Sequence, residues 1–208
     1  MNRRLGSVPY LNARPLVAWF TETEAGRNSG FEIVEETPSV LARMLEAGEI
    51  ECGLLSSVEL FRADYGYVPG IGISADGPVE SVRLFSRVPT EKIRTVALDT
   101  SSKTSVALTR LILEKRYGLD PEYRYSAPDA ESMLRAADAA LLIGDVGFND
   151  TDAARSVLDL GTEWKEWTGF PFVYALWIGR PALLDTALVD AVTQAKQWGE
   201  ERLDELAD

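Results

Sequence analysis

The chain contains no histidine in its 208 residues. That single absence removes Ser-His-Asp and Cys-His nucleophilic catalysis, histidine-ligated zinc or iron, and imidazole acid–base chemistry. Any chemistry must come from hydroxyls, amides, carboxylates, lysine, arginine, tyrosine or the substrate itself. Cysteine is nearly absent too. The single Cys52 has no partner for an internal disulfide, and its setting, Ile-Glu-Cys-Gly-Leu-Leu, reads as a small buried strand residue rather than a reactive thiol. Basic residues are in deficit, 21 Lys and Arg against 33 Asp and Glu, for a net charge of −12. A nucleic-acid surface needs clustered cations, so none is expected. The acidity does not forbid an anionic ligand, because exposed charges are screened over about 8 Å at physiological salt while donors in a pocket act at contact distance. No apolar run approaches the ~18 residues of a membrane span, and the amino terminus enters a strand with no apolar signal core, which places the protein in the cytoplasm. Metal-ligand spacing, a glycine-rich phosphate loop and a distinct carboxylate pair are also missing, so neither a metal nor a cofactor is expected.

What is present is an alternation of strand-like and helix-like runs over a chain that is 46% hydrophobic, enough to bury a substantial core. The alternation predicts an α/β architecture with mainly parallel pairing. Strands are expected at 4–8, 31–36, 50–55, 70–74, 81–86, 94–98, 123–125, 139–143, 157–160 and 172–178. Thr37-Pro38 supplies an N-cap and a first-turn proline for a helix with Val40, Leu41, Met44 and Leu45 as its buried stripe. Further helices are expected at 58–65, 105–117, 130–137 and from Pro181 onward, and Trp164 and Trp167 read as the core face of another. The pattern restarts near Arg94. It therefore predicts two α/β lobes, residues 1–86 with 171–208 and residues 87–170, with a cleft between them into which the loops after the parallel strands project.

Those loops hold the polar candidates. Asp99-Thr-Ser-Ser-Lys-Thr-Ser105 places five hydroxyls, those of Thr100, Ser101, Ser102, Thr104 and Ser105, at the positive end of a helix. Capping needs only one hydroxyl, so a cradle for a carboxylate or phosphate is the preferred reading. Asn12 lies in Ser-Val-Pro-Tyr-Leu-Asn-Ala-Arg-Pro-Leu, between Pro9 and Pro15. Its amide can orient a substrate or satisfy its own turn, and local chemistry leaves the two readings level. Tyr10 stands beside it as a further substrate contact. Ser56, Ser57 and Ser81 adjoin strand ends, where a lone serine is more often a turn or cap residue. Asp145, after Leu-Leu-Ile-Gly, sits where an α/β site residue belongs or where a carboxylate steadies a loop.

Six motifs, in order from about residue 4 to 180, carry a resemblance. They are Val-Pro-Tyr-Leu-Asn-Ala-Arg-Pro-Leu, Gly-Leu-Leu-Ser-Ser-Val-Glu, Asp-Gly-Pro-Val-Glu-Ser-Val, Thr-Ser-Ser-Lys-Thr-Ser-Val, Ala-Ala-Leu-Leu-Ile-Gly-Asp and Trp-Lys-Glu-Trp-Thr-Gly-Phe-Pro-Phe-Val. Together they resemble the chorismate dehydratases of the futalosine route to menaquinone. The resemblance implies a fold like that of type II periplasmic binding proteins and a reaction in which chorismate loses water to give 3-[(1-carboxyvinyl)oxy]benzoate. It implies that the family's active-site asparagine falls on Asn12 and its serine on Ser81, with the hydroxyl run gripping a substrate carboxylate. Family members commonly extend beyond the equivalent of Asp208, so the expectation is either that part of the first lobe's terminal helical cover is absent here or that the chain is shortened at its C-terminus. Two other readings use the same fold: a carboxylate sensor without catalysis, and the 1,4-dihydroxy-6-naphthoate synthase of the same route. The opening motif and the lack of histidine weigh against the latter.

Overall fold

A computed structural model of the chain describes residues 2–99, 101–149 and 151–207. In chain order its elements are β1 (Arg3–Ser7), α1 (Arg14–Glu22), α2 (Glu24–Arg27), β2 (Phe31–Glu35), α3 (Pro38–Ala47), β3 (Cys52–Ser56), β4 (Gly66–Ala75), β5 (Val82–Ser86), β6 (Thr95–Asp99), α4 (Lys103–Leu111), β7 (Glu122–Ser126), α5 (Ala130–Ala136), β8 (Ala139–Ile143), α6 (Asp145–Phe148), β9 (Ser156–Asp159), α7 (Leu160–Thr168), β10 (Phe172–Gly179), α8 (Thr186–Glu200) and α9 (Leu203–Ala207). They divide into two compact units, Met1–Ile73 with Val173–Asp208, and Ser74–Phe172.

The first unit is built on a five-stranded sheet in the order β2-β1-β3-β10-β4. β1 pairs in parallel with β2 and β3, while β10 runs antiparallel to β3. Its core gathers Leu5, Leu41, Leu45, Leu54, Leu55, Trp177, Ile178, Leu188 and Val192. Helix α3 buries the expected Leu41, Met44 and Leu45, and ends at Gly48 in the left-handed conformation. Helix α1 was not anticipated from the two prolines around Asn12. Pro15 occupies its first turn, where the missing N–H has no partner to lose, so this proline starts a helix instead of breaking one. Residues 181–183 form a 3-10 turn, and α8 opens at Thr186 because Asp185 caps it, accepting the Leu188 N–H at 3.0 Å. Cys52 is fully buried, and burial pushes its thiol up to about 12, which leaves it inert at neutral pH.

The second unit carries a five-stranded sheet in the order β7-β6-β8-β5-β9. β6 is parallel to β7 and β8; β5 is antiparallel to both β8 and β9. The pairing is therefore more mixed than the alternation predicted. β5 also moves the unit boundary. Grouping 1–86 with the first unit assumed that β5 belongs there, but Leu84 and Phe85 are completely buried in the second sheet, and the division falls between Ile73 and Ser74. The expected helix over 105–117 starts earlier and ends in a π turn, Ile112–Arg116. There Arg116 bonds to the Glu163 carbonyl and to the Glu166 carboxylate at 2.9 Å, and lies 3.2 Å from the buried Glu163 carboxylate. Tyr117 donates to the same Glu163 carboxylate at 2.8 Å. Among the described residues no helix is long and apolar enough to cross a membrane.

Candidate active site

In each unit the polar candidates collect at one edge of the sheet, and the strand directions explain why. In the first unit β1 and β3 are parallel neighbours, so the segments that follow them emerge side by side. After β1 the chain runs through Val8 and Pro9 into a 3-10 turn, Leu11–Ala13, closed by the Ala13 N–H donating to the Tyr10 carbonyl at 2.9 Å. Tyr10 and Asn12 are both exposed on this turn. The Asn12 amide neither caps the turn nor bonds to another described residue, so the self-satisfying reading of this asparagine fails. Ser56 ends β3 and is half-buried. Ser57 begins the following 3-10 turn and donates its hydroxyl to the Val173 carbonyl at 2.8 Å, tying that turn to β10.

In the second unit β6 and β8 deliver their following loops to the carboxyl edge, and the antiparallel β5 begins at that edge, with Val82 opposite Ile143. The sheet order β6-β8-β5 then places 101–105, Gly144-Asp145 and Ser81 along it in sequence. Ser102 is the N-cap of α4: its hydroxyl accepts the Ser105 N–H at 3.2 Å and the Ser105 hydroxyl at 3.0 Å. Ordinary capping thus uses one member of the hydroxyl run, as the simpler reading required. The others are placed differently. The Ser101 N–H donates to the buried Asp99 carboxylate at 2.8 Å, and its side chain is exposed at the helix entrance. Thr104 and Ser105 are buried, and Thr100 lies outside the described residues. The structure brings Ser101, Ser102 and Ser105 to a positive helix end, a setting suited to an anion. Asp145 is exposed in the first turn of α6, with its carbonyl accepting from the Asn149 amide at 3.0 Å.

Ser81 is half-buried, and its hydroxyl has no hydrogen-bond partner among the described residues. Its backbone is tied at both ends: the N–H donates to Val79 at 2.6 Å, and the carbonyl accepts from Gly144 at 2.8 Å. A residue that sequence reasoning passed over stands behind it. Asp159, the last residue of β9, accepts the N–H groups of Val79 and Glu80 while also capping α7. The cap was legible as an acidic residue before a helical run. The reach across to residue 79 follows from the β5–β9 register, which no local signal encodes.

Chemically, the edge of the first unit offers an amide and that of the second a hydroxyl, each without a partner among the described residues, and the second adds a hydroxyl-rich helix end. Groups of these kinds can bind carboxylates and hydrogen-bond to developing charge. Comparison with known proteins extends the description. A family model described as menaquinone biosynthesis matches residues 3–208. A chorismate dehydratase of Thermus thermophilus is 34% identical over 224 residues, which takes in 98% of this chain and 80% of that protein. A chorismate dehydratase of Campylobacter jejuni is 27% identical over 173 residues, 82% of this chain and 64% of that one. Among solved structures, the periplasmic aliphatic sulphonate binding protein of Escherichia coli superposes with a TM-score of 0.65 at 16% identity, covering 99% of this chain and 71% of that one. At that identity the likeness carries the fold alone, a two-lobed α/β fold of the periplasmic-binding-protein kind.

Proposed function

The chain belongs to the menaquinone biosynthesis family, and from that premise we propose that it is a chorismate dehydratase, a carbon–oxygen lyase of the cytoplasm that converts chorismate into 3-[(1-carboxyvinyl)oxy]benzoate and water. The observation that carries the reading is that Asn12 and Ser81, on which the resemblance puts the family's active-site residues, each present at the edge of its own sheet a polar side chain without a partner among the described residues. Buried and half-buried polar groups are normally hydrogen-bonded, so a half-buried serine hydroxyl left unpaired is available to a ligand.

The reaction needs little from the protein. The ring proton leaves from the carbon that bears the ether, its bonding pair becomes the new ring π bond, and the neighbouring hydroxyl departs and is protonated to water. Aromatisation supplies the driving force. With no histidine in the chain, the enolpyruvyl carboxylate of the substrate is the proposed base. General-base help is typically worth about 10²- to 10⁴-fold, and a carboxylate held beside the proton supplies it by proximity. Ser101, Ser102, Thr104 and Ser105, with Thr100, are the proposed carboxylate grip, and Tyr10, Ser56, Ser57 and Asp145 are proposed substrate contacts. Asn12 and Ser81 orient the ring and donate to the charge that develops as hydroxide leaves. Chromatography of chorismate incubated with the purified protein tests the reading. An aromatic ether lighter by one water supports it, and chorismate recovered unchanged overturns it.

A further inference from the structure

We propose that Asp159 is a positioning residue for Ser81, acting through the backbone of the loop that carries it; the proposal rests on the assignment of Ser81 to the dehydration site. Ser81 follows Glu80, a non-glycine residue held at φ 57°. A side-chain-bearing residue in this left-handed conformation is strained and persists only where its surroundings over-determine it.

Asp159 supplies most of that determination. Its Oδ2 accepts the Glu80 N–H at 2.7 Å, both carboxylate oxygens lie 3.1 Å from the Val79 N–H, and Oδ1 takes the Thr162 N–H at 2.9 Å. An ionised carboxylate has two oxygens with free lone pairs and no donor, so it can receive all of these N–H groups together. Two glycines complete the hold. A Cβ at Gly147 would lie 2.7 Å from the Ser81 carbonyl oxygen, and one at Gly161, near the start of α7, would collide with the Gly77 carbonyl. The loop is therefore gripped at both ends by backbone packed too closely for any side chain. Ser81 itself has no side-chain hydrogen bond to fix it among the described residues. Its placement depends on this backbone frame.

Capping α7 and holding the loop are separable roles. A cap needs one acceptor, which asparagine provides about as well as aspartate. Asp159→Asn keeps that acceptor but turns an NH₂ donor towards the N–H groups of Val79 and Glu80. The experiment is steady-state kinetics with chorismate, together with thermal melting, for wild type, Asp159→Asn, Glu80→Gly and the double variant. Misplacement of a reacting group by about 1 Å can cost about a hundredfold, so Asp159→Asn is expected to lower kcat by roughly ten- to a hundredfold. KM is expected to move less than about threefold, the signature of a contact made in the transition state. Glycine adopts the left-handed conformation without strain. Glu80→Gly in the Asp159→Asn background is therefore expected to recover kcat by about threefold or more, a rescue that a helix cap alone does not give. Asp159→Ser, which also retains a cap acceptor, gives the same kcat and KM split should the asparagine variant fail to fold. An unchanged kcat with a lowered melting temperature overturns the proposal, and so does a loss of kcat that Glu80→Gly leaves untouched. A wild-type chain inert towards chorismate overturns the functional reading and this proposal with it, whereas an active wild type confines any failure to Asp159.

Discussion

Asn12 and Ser81, the two residues proposed to act on chorismate, are each expected to matter more to turnover than to binding. Removing one donor to developing charge in an enclosed site typically costs about 3–4 kcal/mol in the barrier. Asn12→Ala and Ser81→Ala are therefore expected to lower kcat by roughly 10²- to 10³-fold, with the chorismate dissociation constant, measured by calorimetry on the slow variants, changing far less. Equal and modest losses in both quantities would assign the two residues to binding alone. The residue scale is also where sequence was least decisive. Local chemistry left Asn12 level between ligand and turn, and its amide on the 3-10 turn has no partner among the described residues, which removes the turn bond without identifying a ligand. Ser57, a substrate candidate, donates its hydroxyl to the Val173 carbonyl, which leaves its acceptor lone pairs for a ligand. Asp159 was invisible as a site residue because its partners, Val79 and Glu80, reach it through strand pairing rather than through neighbouring sequence.

At the scale of elements, caps and amphipathic stripes were readable and the exact starts of helices less so. Pro38 opens α3 as expected with Thr37 at the cap position, but the Thr37 hydroxyl makes no cap bond and meets the Ser39 hydroxyl at 3.4 Å instead. The expectation that Pro181 opens the last helix failed because Asp185, four residues on, offers a carboxylate to the first turn and proline cannot. Helix α7 shows how an element is fixed from outside its own sequence. The turn Ile112–Arg116 sends Arg116 and Tyr117 to Glu163, whose side chain is 10% exposed. Burial and the bond to Glu163 push the Tyr117 hydroxyl up to about 12, so it stays a donor at any working pH. Removing one partner of a buried ion pair typically costs about 3–5 kcal/mol. Arg116 retains some exposure and keeps Glu166, so Glu163→Ala is expected at the low end, about 3 kcal/mol by urea denaturation. Glu163→Gln, which can still accept from Tyr117, is expected to lose less. Equal stability of all three proteins would show that the cluster merely decorates the surface.

For the molecule as a whole, the alternation of periods was enough to predict two α/β lobes, and the structural kinship bears this out. It could not assign β5, because a short apolar strand carries no mark of which sheet it will join. Pairing with both β8 and β9 decides it. Global stability should depend on acid in a way traceable to single carboxylates. Burial alone would raise the pKa of Asp138, but the N–H groups of Arg94 and Thr95, the Thr95 hydroxyl and the charge of Arg87 lower it on balance. A carboxylate lowered on folding contributes its full stability above the unfolded value of about 3.9 and loses it as pH falls through the lower folded value. Asp138→Asn is thus expected to be less stable than wild type at pH 7, with the two denaturation midpoints converging as pH falls below the unfolded value and through the lowered folded one; parallel profiles would contradict that origin.

The central claim is that a chain without histidine dehydrates chorismate by holding it while the substrate's own carboxylate takes the ring proton. Proton NMR of chorismate mixed with the purified protein tests it most directly. The account predicts that the diene and ring-carbinol signals fade as those of a meta-substituted benzoate rise, with the enolpyruvyl vinyl protons retained throughout. Persistence of the diene signals in a sample where calorimetry shows chorismate bound would contradict it.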